Sequence, residues 1–278
     1  MIEIILPCKI SLMRNSAPIA FIDSGVGGLP YLQWVKEHLP KENFVYLADR
    51  KNFPYGEKSS DEIVKIVLRA VKSLQNGQYP KMLVIACNTA SVTSLEAVRK
   101  SVDFPVVGVV PAVKPAAITS RNKRIGVMGT RQTINGPYLQ GLIDNFAPDC
   151  HVEKVAATGI VSFVENDFFQ ADLKAKREIV KNAVDLFSGG EVDKVVLGCT
   201  HFIYLDEILR DELGEKVEVI DSREGVGRQI IHVLEYENLF SDTKNEDIFY
   251  CSAESPGGSY RQFAAMFGLT YGGVMEGL

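Results

Sequence analysis

Two cysteines occupy matching places in this sequence. Cys87 follows the apolar run Met82 to Ala86 and leads into Asn88-Thr89, while Cys199 follows Val195 to Leu197 through Gly198 and leads into Thr200-His201. Each run reads as a short buried strand, and the segments behind them, Ala90 to Lys100 and Phe202 to Leu213, read as helices. A thiol between a strand end and a helix start meets free backbone N–H groups and a partial positive charge, which favour thiolate over a thiol of ordinary pKa about 8.5. Two such thiols would make a reactive pair. A free cysteine taken singly is more often a small, inert, buried hydrophobe. That reading is kept for Cys8, Cys150 and Cys251.

Of the four histidines only His201 adjoins a candidate nucleophile, where an imidazole can move a proton or pair with a thiolate. Its competing reading is a surface residue at a helix start. His38, His151 and His232 have no such neighbour. Asp23-Ser24-Gly25-Val26-Gly27-Gly28 sets a carboxylate, a hydroxyl and a glycine-rich backbone ahead of a helix, and so can cradle an anion. Equally it can be a tight turn, with Asp23 as the helix cap and the glycines at positive φ. No Gly-Lys-Ser/Thr follows and Pro30 takes the third glycine position of G-x-G-x-x-G, so a nucleotide is not indicated. Asp49 leads to Pro54-Tyr55-Gly56, a turn that presents amides and a phenol to a carboxylate or is simply a Pro-Gly turn. Thr130 and Thr133 supply hydroxyls or a helix cap. Glu165, after the apolar stretch Ile160 to Val164, is either a positioned acid or the start of a solvated loop. Cys87, Cys199 and His201 lack paired Cys-x₂₋₄-Cys spacing and a fourth ligand, so no metal is expected.

The elements that must hold these residues follow an α/β pattern, short β-branched runs alternating with segments of helical period, which predicts mostly parallel sheets flanked by helices. Strands are expected at Ile19 to Asp23, Phe44 to Leu47, Met82 to Ala86, Val106 to Val110, Arg124 to Met128, Val152 to Ala156, Val195 to Leu197 and Val217 to Ile220. Ser59 and Glu62 have capping-box spacing before Ile63, Val67, Ala70, Val71 and Leu74, a helix expected to run to Gly77. Lys174 to Ser188 repeats the design and is expected to stop at Gly189-Gly190. The plan is used twice. Asp23 and Cys87 end two strands of the first half, and Gly129 and Cys199 end two strands of the second. Ligands of parallel sheets bind beyond carboxyl strand ends, so two facing halves would share one cleft. The expected division is 1–110 plus 225–278 for the first α/β domain and 111–224 for the second, pseudo-symmetric about that cleft.

Composition narrows the class. The 278 residues are 46% hydrophobic and 23% charged, with 30 basic and 35 acidic residues. That is an ordinary globular balance, neither disordered nor basic enough to suggest nucleic acid. The longest apolar run, Phe104 to Val113, contains two prolines and is far short of the roughly 18 residues of a membrane span. Glu3 and Lys9 interrupt Met1 to Ser16, so a secretory signal is not expected. Five widely spaced cysteines do not describe a disulfide framework and fit the reducing cytoplasm.

Asp23-Ser24-Gly25-x-Gly27-Gly28, Asp49 with Pro54-Tyr55-Gly56, Cys87-Asn88-Thr89, Gly129-Thr130-x-x-Thr133 and Gly198-Cys199-Thr200-His201, in this order and spacing, resemble the successive motifs of the glutamate racemases of the aspartate/glutamate racemase superfamily. The resemblance runs from about Ile19 to Ile230, with a looser match through Phe249-Tyr250 and Arg261. It implies cofactor-independent interconversion of L- and D-glutamate without pyridoxal phosphate, supplying D-glutamate for peptidoglycan in the bacterial cytoplasm. A homodimer is implied, and neither a membrane nor a nucleic-acid partner. By this likeness Cys87 takes the proton from D-glutamate and Cys199 from L-glutamate, with Asp23 and His201 assisting and Asp49 and Glu165 as more distant helpers. Ser24, Asn88, Thr89 and Thr200 would hold the amino-acid head group, and Pro54, Tyr55, Gly56, Thr130 and Thr133 would complete recognition. Asn135 and Thr158-Gly159 depart from the family's common serine and Cys-Pro. The alternatives are a racemase of aspartate or another amino acid, an interaction protein on the same fold, and a thiol hydrolase built on Cys199 and His201. His201 favours glutamate, because aspartate relatives tend to carry glutamate there.

Overall fold

The structure, a computed structural model, describes residues 15–188, 191–275 and 277–278. Cys8 and the expected Gly189-Gly190 stop lie outside the described residues, as does most of Met1 to Ser16. Two parallel sheets form the frame. The first contains β1 (Ile19–Asp23), β2 (Phe44–Ala48), β3 (Met82–Ile85) and β4 (Val106–Gly108); the second contains β5 (Arg124–Gly129), β6 (His151–Ala156), β7 (Lys194–Leu197) and β8 (Glu218–Ile220). Their orders are β2-β1-β3-β4 and β6-β5-β7-β8, one topology used twice. All eight expected strands are present. β1, β2, β3 and β7 are buried along their whole length. Strands covered on both faces read as unbroken apolar runs, which is why the sequence exposes them.

Two further strands, β9 (Ile248–Cys251) and β10 (Thr270–Val274), extend the first sheet beyond β2, in the order β10-β9-β2. Neither was expected. β9 is four residues long behind a polar stretch, and β10 is an edge strand whose register shifts between Tyr271 and Gly273. The end of the chain thus returns to the sheet where it began.

Register sets the site. Ile22 of β1 lies opposite Ile85 of β3, and Met128 of β5 opposite Leu197 of β7. Asp23 and Cys87 therefore leave one sheet side by side, as do Thr130 and Cys199 the other.

The helix Ser60–Gln78 begins as expected, with Ser59 Oγ accepting from the Glu62 N–H at 3.4 Å and Ile63, Val67, Ala70, Val71 and Leu74 buried. It passes through Gly77 and ends where Tyr79 turns left-handed at φ 44. Pro80 follows and cannot continue it. The helix after Cys87 spans Asn88–Arg99. After Cys199 the chain instead forms a 3-10 segment, Thr200–Leu205, and only then the α-helix Asp206–Leu213, so Cys199 does not sit at an α-helix N-terminus. Asp23 does not cap the helix Leu29–His38, whose N-cap is Gly28. Gly25, Gly27 and Gly28 are not among the positive-φ residues. Their role is the absence of a side chain.

One helix contact gives a stability prediction. The helices Leu29–His38 and Arg223–Tyr236 approach so closely that a Cβ on Gly227 would lie 2.0 Å from Trp34 Cε3. Trp34 is stacked on His38 at 3.7 Å, which limits its retreat. Alanine gains about 1 kcal/mol of helix propensity over glycine, but overpacking costs about 1–3 kcal/mol. Gly227→Ala is expected to lower the urea midpoint with unchanged slope, and a raised midpoint would show that Trp34 moves freely.

Candidate active site

Cys87 and Cys199 face one cavity of about 20 Å³, enough for one water molecule. Its walls come from both halves. Ser24, Pro54, Tyr55, Gly56, Cys87, Asn88 and Thr89 stand on the first, and Thr130, Cys199, Thr200 and His201 on the second. A space this small does not hold an amino acid as it stands.

Four expected residues lie behind the wall. Thr133 Oγ1 sits 3.1 Å from Thr130 Oγ1 and 3.5 Å from Thr89 Oγ1, and its N–H donates to Thr130, which does cap the helix Arg131–Asn135. Asp23 is fully buried, its Oδ1 accepting from the Gly25 N–H at 2.8 Å and its Oδ2 from the Thr200 hydroxyl at 3.2 Å, a bond across the cleft. Asp49 accepts from the Tyr55 hydroxyl at 2.7 Å and from Ser252 Oγ at 2.6 Å. The Tyr55 phenol is therefore committed to Asp49, and the expectation that it meets a ligand carboxylate is not met by its hydroxyl. Glu165 opens no solvated loop. It is buried in the helix Thr158–Asn166 and accepts from the Val26 N–H at 2.7 Å.

His201 is buried between Glu165 and Cys199. Its Nε2 is 2.7 Å from Glu165 Oε1 and its Nδ1 is 3.9 Å from Cys199 Sγ. Burial alone pushes the imidazole's pKa down. Hydrogen bonding to Cys199 and Glu165, with the Glu165 charge, outweighs that and holds it well above the usual histidine range. A proton is therefore stored beside one sulfur.

The Cys87 thiol differs from the expectation drawn from its helix. Burial pushes its pKa up and the Asp23 carboxylate adds to the rise, while the N–H groups of Ala90 and Thr89 offset only part. Desolvating an anion outweighs a few aligned dipoles in an enclosed site. The site thus has a sulfur held as thiol and a sulfur with a protonated imidazole at its side.

Asn88 bears on ligand chemistry. Both polar atoms of its buried amide lack a hydrogen-bond partner, and the residue lines the cavity. Leaving buried polar atoms unpaired costs about 1–3 kcal/mol each. A ligand with both donors and acceptors, such as an amino-acid head group, removes that cost. Glu57, Thr158, Val161, Ser162 and Gly198 also line the cavity and were not singled out as contacts. Of these, Thr158 carried a signal as a departure from the expected motif and Gly198 as the first residue of the second cysteine motif. Among the described residues no group of three or more His, Cys, Asp or Glu is placed to hold a metal ion.

The family model for Asp/Glu/hydantoin racemases matches residues 32–224, a span that includes both cysteines. The chain belongs to this family. Glutamate racemases are similar to it over most of its length: one of Treponema pallidum is 35% identical over 265 residues, 95% of this chain and 98% of that protein. A glutamate racemase of Photorhabdus laumondii is 38% identical over 243 residues, 86% of this chain and 84% of that protein. Among solved structures, Escherichia coli glutamate racemase in complex with L-glutamate and the activator UDP-MurNAc-Ala superposes with a TM-score of 0.84 at 36% identity, covering 93% of this chain and 98% of that one. The two-sheet α/β fold is that of the racemase family. Among the described residues no helix is long and apolar enough to cross a membrane.

Proposed function

We propose that this chain is a glutamate racemase that inverts Cα by proton transfer between two thiols. The carrying observation is that Cys87 and Cys199, one from each half, face the same small cavity. Inversion needs a base on one face of the carbon and an acid on the other, with roles exchanged in reverse. From L-glutamate, Cys199 as thiolate takes the α-proton while the Cys87 thiol gives its own to the opposite face. Cys87 is left as thiolate, and the substrate is neutral in the exchange. The His201 imidazolium beside Cys199 stabilises that sulfur as thiolate; between turnovers Cys199 gives up the proton it took and Cys87 regains one, both by exchange with solvent. From D-glutamate the steps run backwards.

The α-proton of an amino acid is far less acidic than a thiol, so the developing carbanion needs fixed donors at the substrate carboxylate. Asn88, Thr89, Ser24 and Thr200 hold the head group in this reading, and Pro54, Tyr55, Gly56 and Thr130 close around it. Thr133 acts through Thr130 and Thr89. Asp23 assists both sulfurs from behind Ser24, and Asp49 acts through Tyr55. The halves hinge at the crossings near 110 and 224, a division supported by the return of β9 and β10 to the first sheet. The biological setting we propose is a cytoplasmic homodimer supplying D-glutamate for peptidoglycan.

The test incubates the pure chain, without added cofactor, with L- or D-glutamate in D₂O and follows optical rotation and Cα deuteration, with aspartate in parallel. Glutamate is expected to lose rotation and gain one deuteron. Faster exchange of aspartate would move the assignment to an aspartate racemase, and no exchange of either would favour an interaction protein. A thiol hydrolase built on Cys199 and His201 leaves Cys87 without a role.

A further inference from the structure

We infer that Tyr260 is a positioning residue for racemisation: its hydroxyl fixes Glu165 across the cleft in the orientation that holds His201 toward Cys199. The inference rests on the reading of Cys199 as one of the two proton-transfer groups.

An ionised carboxylate has about four acceptor positions; three of those of Glu165 take hydrogen bonds, and Arg50 stands at ion-pair distance. Oε1 accepts from the Val26 N–H at 2.7 Å and meets His201 Nε2 at 2.7 Å. Oε2 accepts from the Tyr260 hydroxyl at 2.8 Å and faces Arg50 Nη1 at 3.8 Å. With Oε2 held by Tyr260, Oε1 is directed at His201. With Nε2 of His201 taken by Oε1, Nδ1 is the nitrogen that faces Cys199. Orientation passes along this chain from phenol to sulfur.

Tyr260 is built for that task. It is fully buried, its ring lies edge-on to Phe249 at 5.6 Å, and its own N–H donates to Ser255 Oγ at 2.9 Å. Its neighbour Ser259 donates to the Glu165 carbonyl at 3.4 Å, so the start of the helix Ser259–Met266 seats on the end of the helix Thr158–Asn166. Burial and the Glu165 charge push the phenol's pKa well above its usual value, so it stays a donor. The other ionisable groups acting on the Glu165–His201 pair are Asp23, Cys199, Arg50 and the phenols of Tyr46 and Tyr204. Tyr46 and Tyr204 donate to the carbonyls of Gly25 and Val26 rather than to the pair.

Tyr260→Phe keeps the ring and removes the donor. The Glu165 charge is then less stabilised, the Glu165–His201–Cys199 cluster takes up a proton more readily, and the acid limb of kcat/KM moves to higher pH. Loss of one hydrogen bond to a charged group predicts a move of about one pH unit and roughly tenfold lower kcat/KM on the acid side. A residue that merely packs would lower the profile without moving its limb. 3-Fluorotyrosine at position 260 keeps the shape and strengthens the donor, and the limb is expected to move down. It also serves if Tyr260→Phe does not fold. In a Glu165→Gln background neither change is expected to move the limb further. An active wild type whose limb is unmoved by both changes overturns this inference alone. A wild type that exchanges no α-proton overturns it together with the racemase reading.

Discussion

Replacing either Cys87 or Cys199 by alanine is expected to lower kcat/KM for both glutamate enantiomers by about a thousandfold or more, the upper part of the range for a positioned acid or base. Loss in both directions follows from symmetry. Enantiomers have equal free energy, so the equilibrium constant is one and the two kcat/KM values are equal for any variant. A variant lacking one thiol cannot remain a one-way racemase. Cys150→Ala, at a half-buried position away from the cavity, is expected to leave turnover unchanged. The measurement is loss of rotation and Cα deuteration in D₂O. Comparable activity in all three variants would end the two-thiol mechanism.

Gly27→Ala is expected to cost about a hundredfold or more in kcat/KM without removing any acid, base or substrate contact. A Cβ at this position would lie 2.4 Å from Thr200 Oγ1 and 2.5 Å from His201 Nδ1, the nitrogen turned to Cys199. Gly27 has no left-handed φ, so alanine meets no backbone penalty there. The conflict is steric and crosses the cleft. It is relieved by holding the halves slightly apart, and a misplacement of about 1 Å at a reacting group costs about a hundredfold. Thermal unfolding should shift little, since the core of neither sheet is touched. Gly141→Ala is the control, because a Cβ there meets nothing within 4 Å. Equal activity in the two variants would show that the close approach of the halves is not needed.

The glycine-rich turn illustrates what local reading misses. In the sequence its glycines suggested positive φ, a backbone requirement; in the fold Gly25 and Gly27 are required because Glu165, Thr200 and His201 press against them from the other half, and Gly28 because Ala86 and Tyr46 do so from its own. Both demands leave the same letter in the chain. Cys87 is a second case. Its place at a helix start was legible and implied an acidic thiol, but burial and Asp23 reverse the effect. Tyr260 is a third. It lies 95 residues from Glu165, in a tail whose strands β9 and β10 gave too weak a pattern to read.

From the sequence by itself came the repeated α/β plan, eight strands and the candidate residues at strand ends, because each is encoded over a few neighbouring positions: apolar runs for strands buried on both faces, caps and periodicity for helices. Tertiary structure alone decided which polar atoms meet, which sulfur carries a protonated neighbour, and that Glu165 joins the two halves. Those outcomes depend on hydrogen-bond geometry resolved to tenths of an ångström and on the exclusion of water, and both arise only when distant segments pack together.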